Sequence, residues 1–274
     1  MVLTMTRALI IIFSLLCSLI CTNIACAMEG MSSSEHPTIK LAIHKMVDEG
    51  DHKLVKIKFT KISNNQPVTL DDLKEVHTQK IHLLIIDSGL KDYTHVHPKP
   101  SDEPGVYEFS WKPNTKGDYR IWADLVPIAS GKQEFAIADL TKGSKTKTKI
   151  DKTVSFNSTA DGMNFKLSFD TDKLIVGKAS MGKIIVTDSK GKPVKDLQVL
   201  MGTFAHIVCF GEDFKSIIHI HPMGAEPTDM NALGGPEIEF HIEPMHAGFI
   251  KLFAQVLVKD KEVYAPFGLM VYDK

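Results

Sequence analysis

The chain has 274 residues, and its 32 basic and 33 acidic side chains leave a net charge of -1. That balance excludes a basic nucleic-acid binder and a chain held unfolded by its own charge, and the length suits one large domain or two ordinary ones. Of the four cysteines, Cys17, Cys21 and Cys26 fall within the first 27 residues; only Cys209 lies downstream, so no disulfide can form there and hydrophobic cores must hold the fold.

Residues 1–27 read as a signal peptide. Arg7 is the single charged residue, Ala8 to Ile20 is nearly all apolar, and Ala25-Cys26-Ala27 is a small-x-small cleavage site that leaves Met28 first. The apolar run has the length of a signal core and is short for a membrane-spanning helix. Asn23-Ile24-Ala25-Cys26 partly resembles a bacterial lipobox, with Asn23 where that motif prefers Leu. The expected location is periplasmic or secreted; the alternative is a lipoprotein tethered to a membrane through Cys26.

Beyond the signal, apolar residues come in short runs of period two, such as Leu54-Val55-Lys56-Ile57-Lys58-Phe59, Val106-Tyr107-Glu108-Phe109 and Ile238-Glu239-Phe240-His241-Ile242. Such runs are half-buried strands, and Gly, Pro, Asn and Asp punctuate them at short intervals. One short helical turn is expected near Leu70 to Val76. The pattern predicts an all-β fold.

Two stretches repeat. His82-Leu-Leu-Ile-Ile-Asp, a loop and Tyr93-Thr-His95-Val-His97-Pro98 match His206-Ile-Val-Cys-Phe-Gly, a loop and Ile217-Ile-His219-Ile-His221-Pro222, each histidine 124 positions from its counterpart. Downstream, Val106 to Phe109 resembles Glu237 to Phe240, and Gly117 to Asp124 resembles Gly248 to Gln255. The final strands, near Phe135 and Phe267, follow at similar distances. The chain is therefore expected to hold two tandem immunoglobulin-like antiparallel β-sandwich domains, residues 28–141 and 152–274. Between them, residues 142–151 begin with Lys142-Gly-Ser-Lys-Thr-Lys-Thr-Lys149, which has no apolar residue and is expected to be an unpacked linker or an exposed edge. The paired cysteines of antibody domains are missing, so only the architecture is inferred.

If residues 88–92 close an antiparallel hairpin, position i pairs with 179 minus i. His82 then lies opposite His97, and His95 shares their face. The second hairpin sets His206 opposite His221 with His219 beside it. Opposed Cβ atoms are about 5 Å apart and alternate ones about 7 Å, so three imidazoles can reach one ion about 2.0–2.1 Å from each nitrogen. The candidate metal ligands are His82, His95 and His97 in one copy and His206, His219 and His221 in the other. The histidines persist although the rest of the two hairpins has diverged to little more than shared apolar character.

Imidazole suits zinc, copper, nickel and iron. Met201, Met223 and Met245 lie near the second cluster in sequence, and His77 stands in the first copy where Met201 stands in the second. Thioether ligation would favour copper over zinc, whereas each methionine alone reads as core filler. Cys209 points to the face opposite His206 and lacks the spacing of a blue-copper ligand, so it reads as a buried thiol. His241 and His246 are possible additions to the second site. His36, His44 and His52 read as exposed. No Ser-His-Asp spacing, phosphate loop or paired-carboxylate motif points to an enzyme, and no residue is assigned to catalysis.

The segment from Met163 to Val271, with His206-x12-His219-Ile-His221-Pro222, Glu237-Ile-Glu-Phe240 and Gly248-Phe-Ile-Lys-Leu-Phe253, resembles a family of bacterial exported immunoglobulin-like domains with a His-x-His-Pro motif. Val186-Thr-Asp-Ser-Lys-Gly-Lys-Pro-Val194 resembles a turn common in them, and Lys53 to Ala138 follows more loosely. These domains are often found beside heavy-metal-handling proteins. The resemblance implies exported metal binding; with the histidine triads, the expectation is an exported, noncatalytic protein binding a transition metal, copper first and zinc next, for storage, delivery or resistance. Its expected partner is a membrane transporter or another exported metal-handling protein. The alternative is an adhesion or scaffolding protein whose histidines bind nothing.

Overall fold

The computed structural model describes residues 37–143, 148–220, 222–224 and 226–274. The expected signal peptide, His36, the middle of the linker and His221 lie outside these residues.

The first sandwich has strands β1 (Ile39–Glu49), β2 (His52–Lys61), β3 (His82–Asp87), β4 (Tyr93–Val96), β5 (Lys99–Pro100), β6 (Val106–Trp111), β7 (Tyr119–Leu125) and β8 (Glu134–Thr141). They form two antiparallel sheets, ordered β1-β2-β6-β5 and β4-β3-β7-β8. This is the split of an immunoglobulin-like sandwich. Alternation explains it: Val55, Ile57 and Phe59 point inward from β2, and meet Leu83 and Ile85 of β3 and Ile121 and Ala123 of β7. The only helix among the described residues is a 3-10 turn at Leu70–Asp72, where a helical turn was expected. Tyr119, at the start of β7, closes a corner: its hydroxyl donates to Asp92 and accepts from the Thr115 amide at 3.0 Å.

The second sandwich has β9 (Asn157–Ala160), β10 (Met163–Phe169), β11 (Leu174–Ile175), β12 (Ser180–Asp188), β13 (Leu197–Gln198), β14 (His206–Gly211), β15 (Ile217–Ile220), β16 (Leu233–Gly234), β17 (Glu237–Ile242), β18 (Gly248–Val258) and β19 (Lys261–Tyr272). One sheet runs β17-β12-β10-β9; in the other, β18 pairs with β19 on one side and with β14 on the other, and β14 pairs with β15. Ile207, Cys209, Leu252, Ala254 and Phe267 fill its core with Phe165, Ile184 and Phe240.

The two sandwiches meet through a third apolar cluster. Leu84, Ile86, Leu90, Tyr93 and Trp122 of the first pack against Val208, Phe210 and Phe253 of the second, with Phe135, Phe214, Ile217 and Tyr264 at its margin. The residues correspond in pairs under the repeat: Leu84 with Val208, Ile86 with Phe210, Leu90 with Phe214, Tyr93 with Ile217, Trp122 with Phe253. The contact is thus the same face used twice, the mark of a two-fold relation. It also explains why every residue of β3 and β14 is buried: odd and even positions face different cores.

The linker departs from expectation at its far end. Ile150 packs against the inter-sandwich cluster, and the Thr148 side chain lies so close to Gly89 that a Cβ there would sit 2.4 Å from its Cγ2. The low apolar content of residues 142–149 concealed this, because Thr148 fits against glycine rather than into a core.

Trp122 is the largest side chain of the shared cluster, fully buried, with its ring 5.4 Å from Phe210 and its Nε1–H donated to the Lys215 carbonyl at 3.3 Å. Trp122→Ala is expected to cost about 3–5 kcal/mol. Urea unfolding should split from one transition into two as the sandwiches uncouple; an unchanged single transition would contradict a shared core.

Candidate metal centre

The hairpin register is the expected one. Leu83 pairs with Val96 and Leu84 with His95 in the first copy; Ile207 pairs with Ile220 and Val208 with His219 in the second. His82 and His95 therefore share the face of Leu84 and Ile86, which is the face turned to the other sandwich. His82, His95, His206 and His219 gather between the domains. Ring centroids of His95 and His206 are 5.4 Å apart, those of His82 and His219 5.7 Å, and those of His95 and His219 5.8 Å.

Within the first set, one ring nitrogen from each residue converges. His82 Nδ1 lies 3.2 Å from His95 Nε2 and 3.1 Å from His97 Nε2, and the three donor atoms lie within 4.8 Å of one another. An ion about 2.0–2.1 Å from two tetrahedrally placed nitrogens sets them about 3.3 Å apart. The spacing fits.

The outer nitrogens decide what the inner ones present. His82 Nε2–H is donated to the Val76 carbonyl at 3.0 Å, and His95 Nδ1–H to Gln255 Oε1 at 3.0 Å. A neutral imidazole has one N–H, so His82 Nδ1 and His95 Nε2 face each other as lone pairs. A proton on His97 Nε2 can bridge its own contact with His82, but nothing neutral bridges the other. Burial opposes adding a proton: it lowers His82 from its ordinary 6.5 to about 4 and His97 to about 3, with neighbouring imidazoles adding to the effect, and holds His95 well below its ordinary value. Converging lone pairs, desolvated and kept neutral, are the donor set of a Lewis-acidic cation. The buried group His82, His95 and His97 could hold a metal ion.

The second copy repeats the outer contacts. His206 Nε2–H is donated to the Leu200 carbonyl at 3.2 Å, as His82 does to Val76, and His219 Nδ1 lies 2.5 Å from Asp124 Oδ2. The His206 and His219 rings are 5.9 Å apart and both side chains are fully buried. Burial holds His206 well below its ordinary value.

Sequence reasoning missed Asp124, Gln255 and Gln133. Asp124 and Gln255 stand opposite His82 and His206 on the next strand, and each crosses to a histidine of the other sandwich. Gln133 Nε2–H holds both Asp124 oxygens at 2.9 and 2.8 Å. His77 takes φ 48° in a turn where Met201 takes 52°; its ring approaches His206 to 6.2 Å and its Nδ1 lies 2.9 Å from Glu226. The facing turns nearly touch, because a Cβ on Gly202 would lie 3.3 Å from Thr78. The alignment of Asp124 with Gln255 held the signal, since each is the one polar residue in the runs Ile121–Leu125 and Leu252–Val258.

Other candidates fall elsewhere. Met223 and Met245 are exposed, at 48% and 62%, and so are not core filler. His241 lies on β17 in the far sheet, and His246 is exposed ahead of β18. Cys209 is buried in the second core, and burial pushes its thiol up. His44 and His52 lie at the surface. Asp92, Glu212 and Asp213 bond locally around their hairpins, for example Glu212 with the Phe249 amide at 2.8 Å.

No curated protein matches the chain. Solved structures resemble it distantly. MtrC from Shewanella baltica OS185 is 7% identical over 86% of this chain and 70% of that one, with a TM-score of 0.25. Dimeric latent PorU from Porphyromonas gingivalis is 11% identical over 86% of this chain, which spans 24% of that one, with a TM-score of 0.26. The fibronectin(III)-like modules of CbhA from Clostridium thermocellum are 12% identical over 81% and 85%, with a TM-score of 0.23. A family match is more direct and falls on both halves: at residues 33–141 and again at 158–273, the chain belongs to the family described as Domain of unknown function (DUF8832).

Proposed function

We propose that this protein is an exported, noncatalytic transition-metal binder that holds an ion through His82, His95 and His97, for storage, delivery or resistance. The observation that carries the reading is the His82–His95 contact, two lone pairs 3.2 Å apart whose rings are each fixed from behind. Nitrogen donors serve copper(II) and zinc alike. The thioether reason for ranking copper first weakens with Met223 and Met245 exposed, so zinc stands beside it. With residues 1–27 read as an export signal, the proposed location is the periplasm, outside the cell or, through Cys26, on a membrane. Its partner would be a transporter or another exported metal-handling protein.

Titration of the chain lacking residues 1–27 with zinc and with copper(II) should show binding at micromolar concentration or tighter, weakened more than about 100-fold by His82→Ala or His97→Ala. Absence of micromolar binding for both ions would end the proposal.

The metal-free protein should also respond to pH. His82 and His97 hold their neutral form down to about 4 and about 3, while the same residues unfolded take up protons near 6.5. Below 6.5 the unfolded chain binds more protons, so stability falls as pH falls through that window and is complete above it. Thermal melts should be flat above pH 7 and shift downward between 6.5 and 4, and saturating zinc should raise the melting temperature across that window without removing the shift. A melting temperature that rises on acidification would contradict the buried neutral imidazoles.

A further inference from the structure

Each sandwich supplies the acceptor that aims a histidine of the other. His95 stands on β4 of the first sandwich, yet its Nδ1–H ends on Oε1 of Gln255, on β18 of the second. An amide can face either way, and here its neighbours decide. Gln255 Nε2–H is donated to Glu262 Oε2 at 2.8 Å and to the Tyr264 hydroxyl at 3.0 Å. An ionised carboxylate only accepts, so the amide nitrogen must face Glu262 and the carbonyl must face His95. Gln255 is 1% exposed, which keeps water from serving as a substitute acceptor. The Nδ1–H tautomer fixed this way is the one that leaves His95 Nε2 with a lone pair beside His82 Nδ1.

We infer that Gln255 is the positioning residue for the metal ligand His95, so that the triad carried by the first sandwich is completed only when the second is docked on it. This rests on the metal reading above. The reciprocal contact, His219 to Asp124, shows the same device running the other way. Outer partners that orient a metal-bound imidazole are typically worth about 10–100-fold in affinity. By linkage, whatever factor docking adds to metal affinity, the metal adds to docking.

The test uses the full chain without its signal and two readouts: zinc affinity by competition with a chromophoric chelator, and the ¹⁵N shifts of the His95 ring in the metal-free protein, which report the tautomer. The natural protein should show Nδ1–H. Gln255→Leu should lose that tautomer preference and bind zinc about 10–100-fold more weakly. The exchange Gln255→Glu with Glu262→Gln, which keeps an acceptor facing His95 and a donor behind it, should restore both. Should Gln255→Leu fail to fold, Glu262→Ala at an exposed position frees the amide to turn and should weaken zinc in the same direction by a smaller factor. A folded Gln255→Leu protein binding zinc as tightly as the natural one, or a natural protein with His95 as Nε2–H, overturns the inference. If the natural protein binds neither zinc nor copper, the metal reading falls with its dependent affinity claim, and the tautomer shift alone decides whether Gln255 orients His95.

Discussion

The hydrogen bonds that cross from His95 to Gln255 and from His219 to Asp124 can form only if the two sandwiches lie face to face in one register. Docking in turn rests on apolar contact: Leu84, Ile86 and Trp122 against Val208, Phe210 and Phe253 exclude water beside the imidazoles. Water exclusion lowers the pKa values of His82, His95, His97 and His206, keeps those rings neutral and makes each remaining polar contact stronger. The centre therefore belongs to neither sandwich alone, and its chemistry follows from burial by a neighbouring domain.

Burial of this kind is costly unless polar groups find partners, and the described ones largely do. His82, His95, His206 and His219 each use an outer nitrogen on a carbonyl, an amide or a carboxylate. Gln133 holds Asp124, and Glu262 holds Gln255, so the second layer is itself anchored. Within the first triad, what stays uncompensated is the inner contact between His82 and His95, where metal affinity would reside. A site built this way is stiff: the rings are fixed from behind, and an arriving ion would meet donors already at the right spacing.

Much of this could be read from the residues. Period-two alternation gave β2 and β6, and the pairing rule for the first hairpin held to the residue, with Leu84 opposite His95. The duplication was visible in the histidines themselves. What alternation could not give was the partner of the second face. His82-Leu-Leu-Ile-Ile and His206-Ile-Val-Cys-Phe do not alternate, which is what a strand buried on both sides looks like, but an unbroken apolar run does not say what covers it. Nor did spacing show that Asp124 and Gln255 would cross between domains, because that contact links residues 160 positions apart in one case and 95 in the other. His77 is legible as the counterpart of Met201, but its approach to the centre is not: it comes from a turn with positive φ, which no strand pattern describes.

The face shared by the two sandwiches is self-complementary. A lone copy carrying it would have to find a second molecule, at a rate set by concentration, whereas joining the copies in one polypeptide makes encounter intramolecular. Covalent union also releases the halves from having to be identical. Asp124 and Gln255 occupy matching places, yet one carries a formal charge and the other does not, so the two imidazole sets differ in electrostatic balance. A symmetric homodimer could not hold that difference; a fused pair can, and it thereby sets unlike polar groups at matching places of one repeated surface.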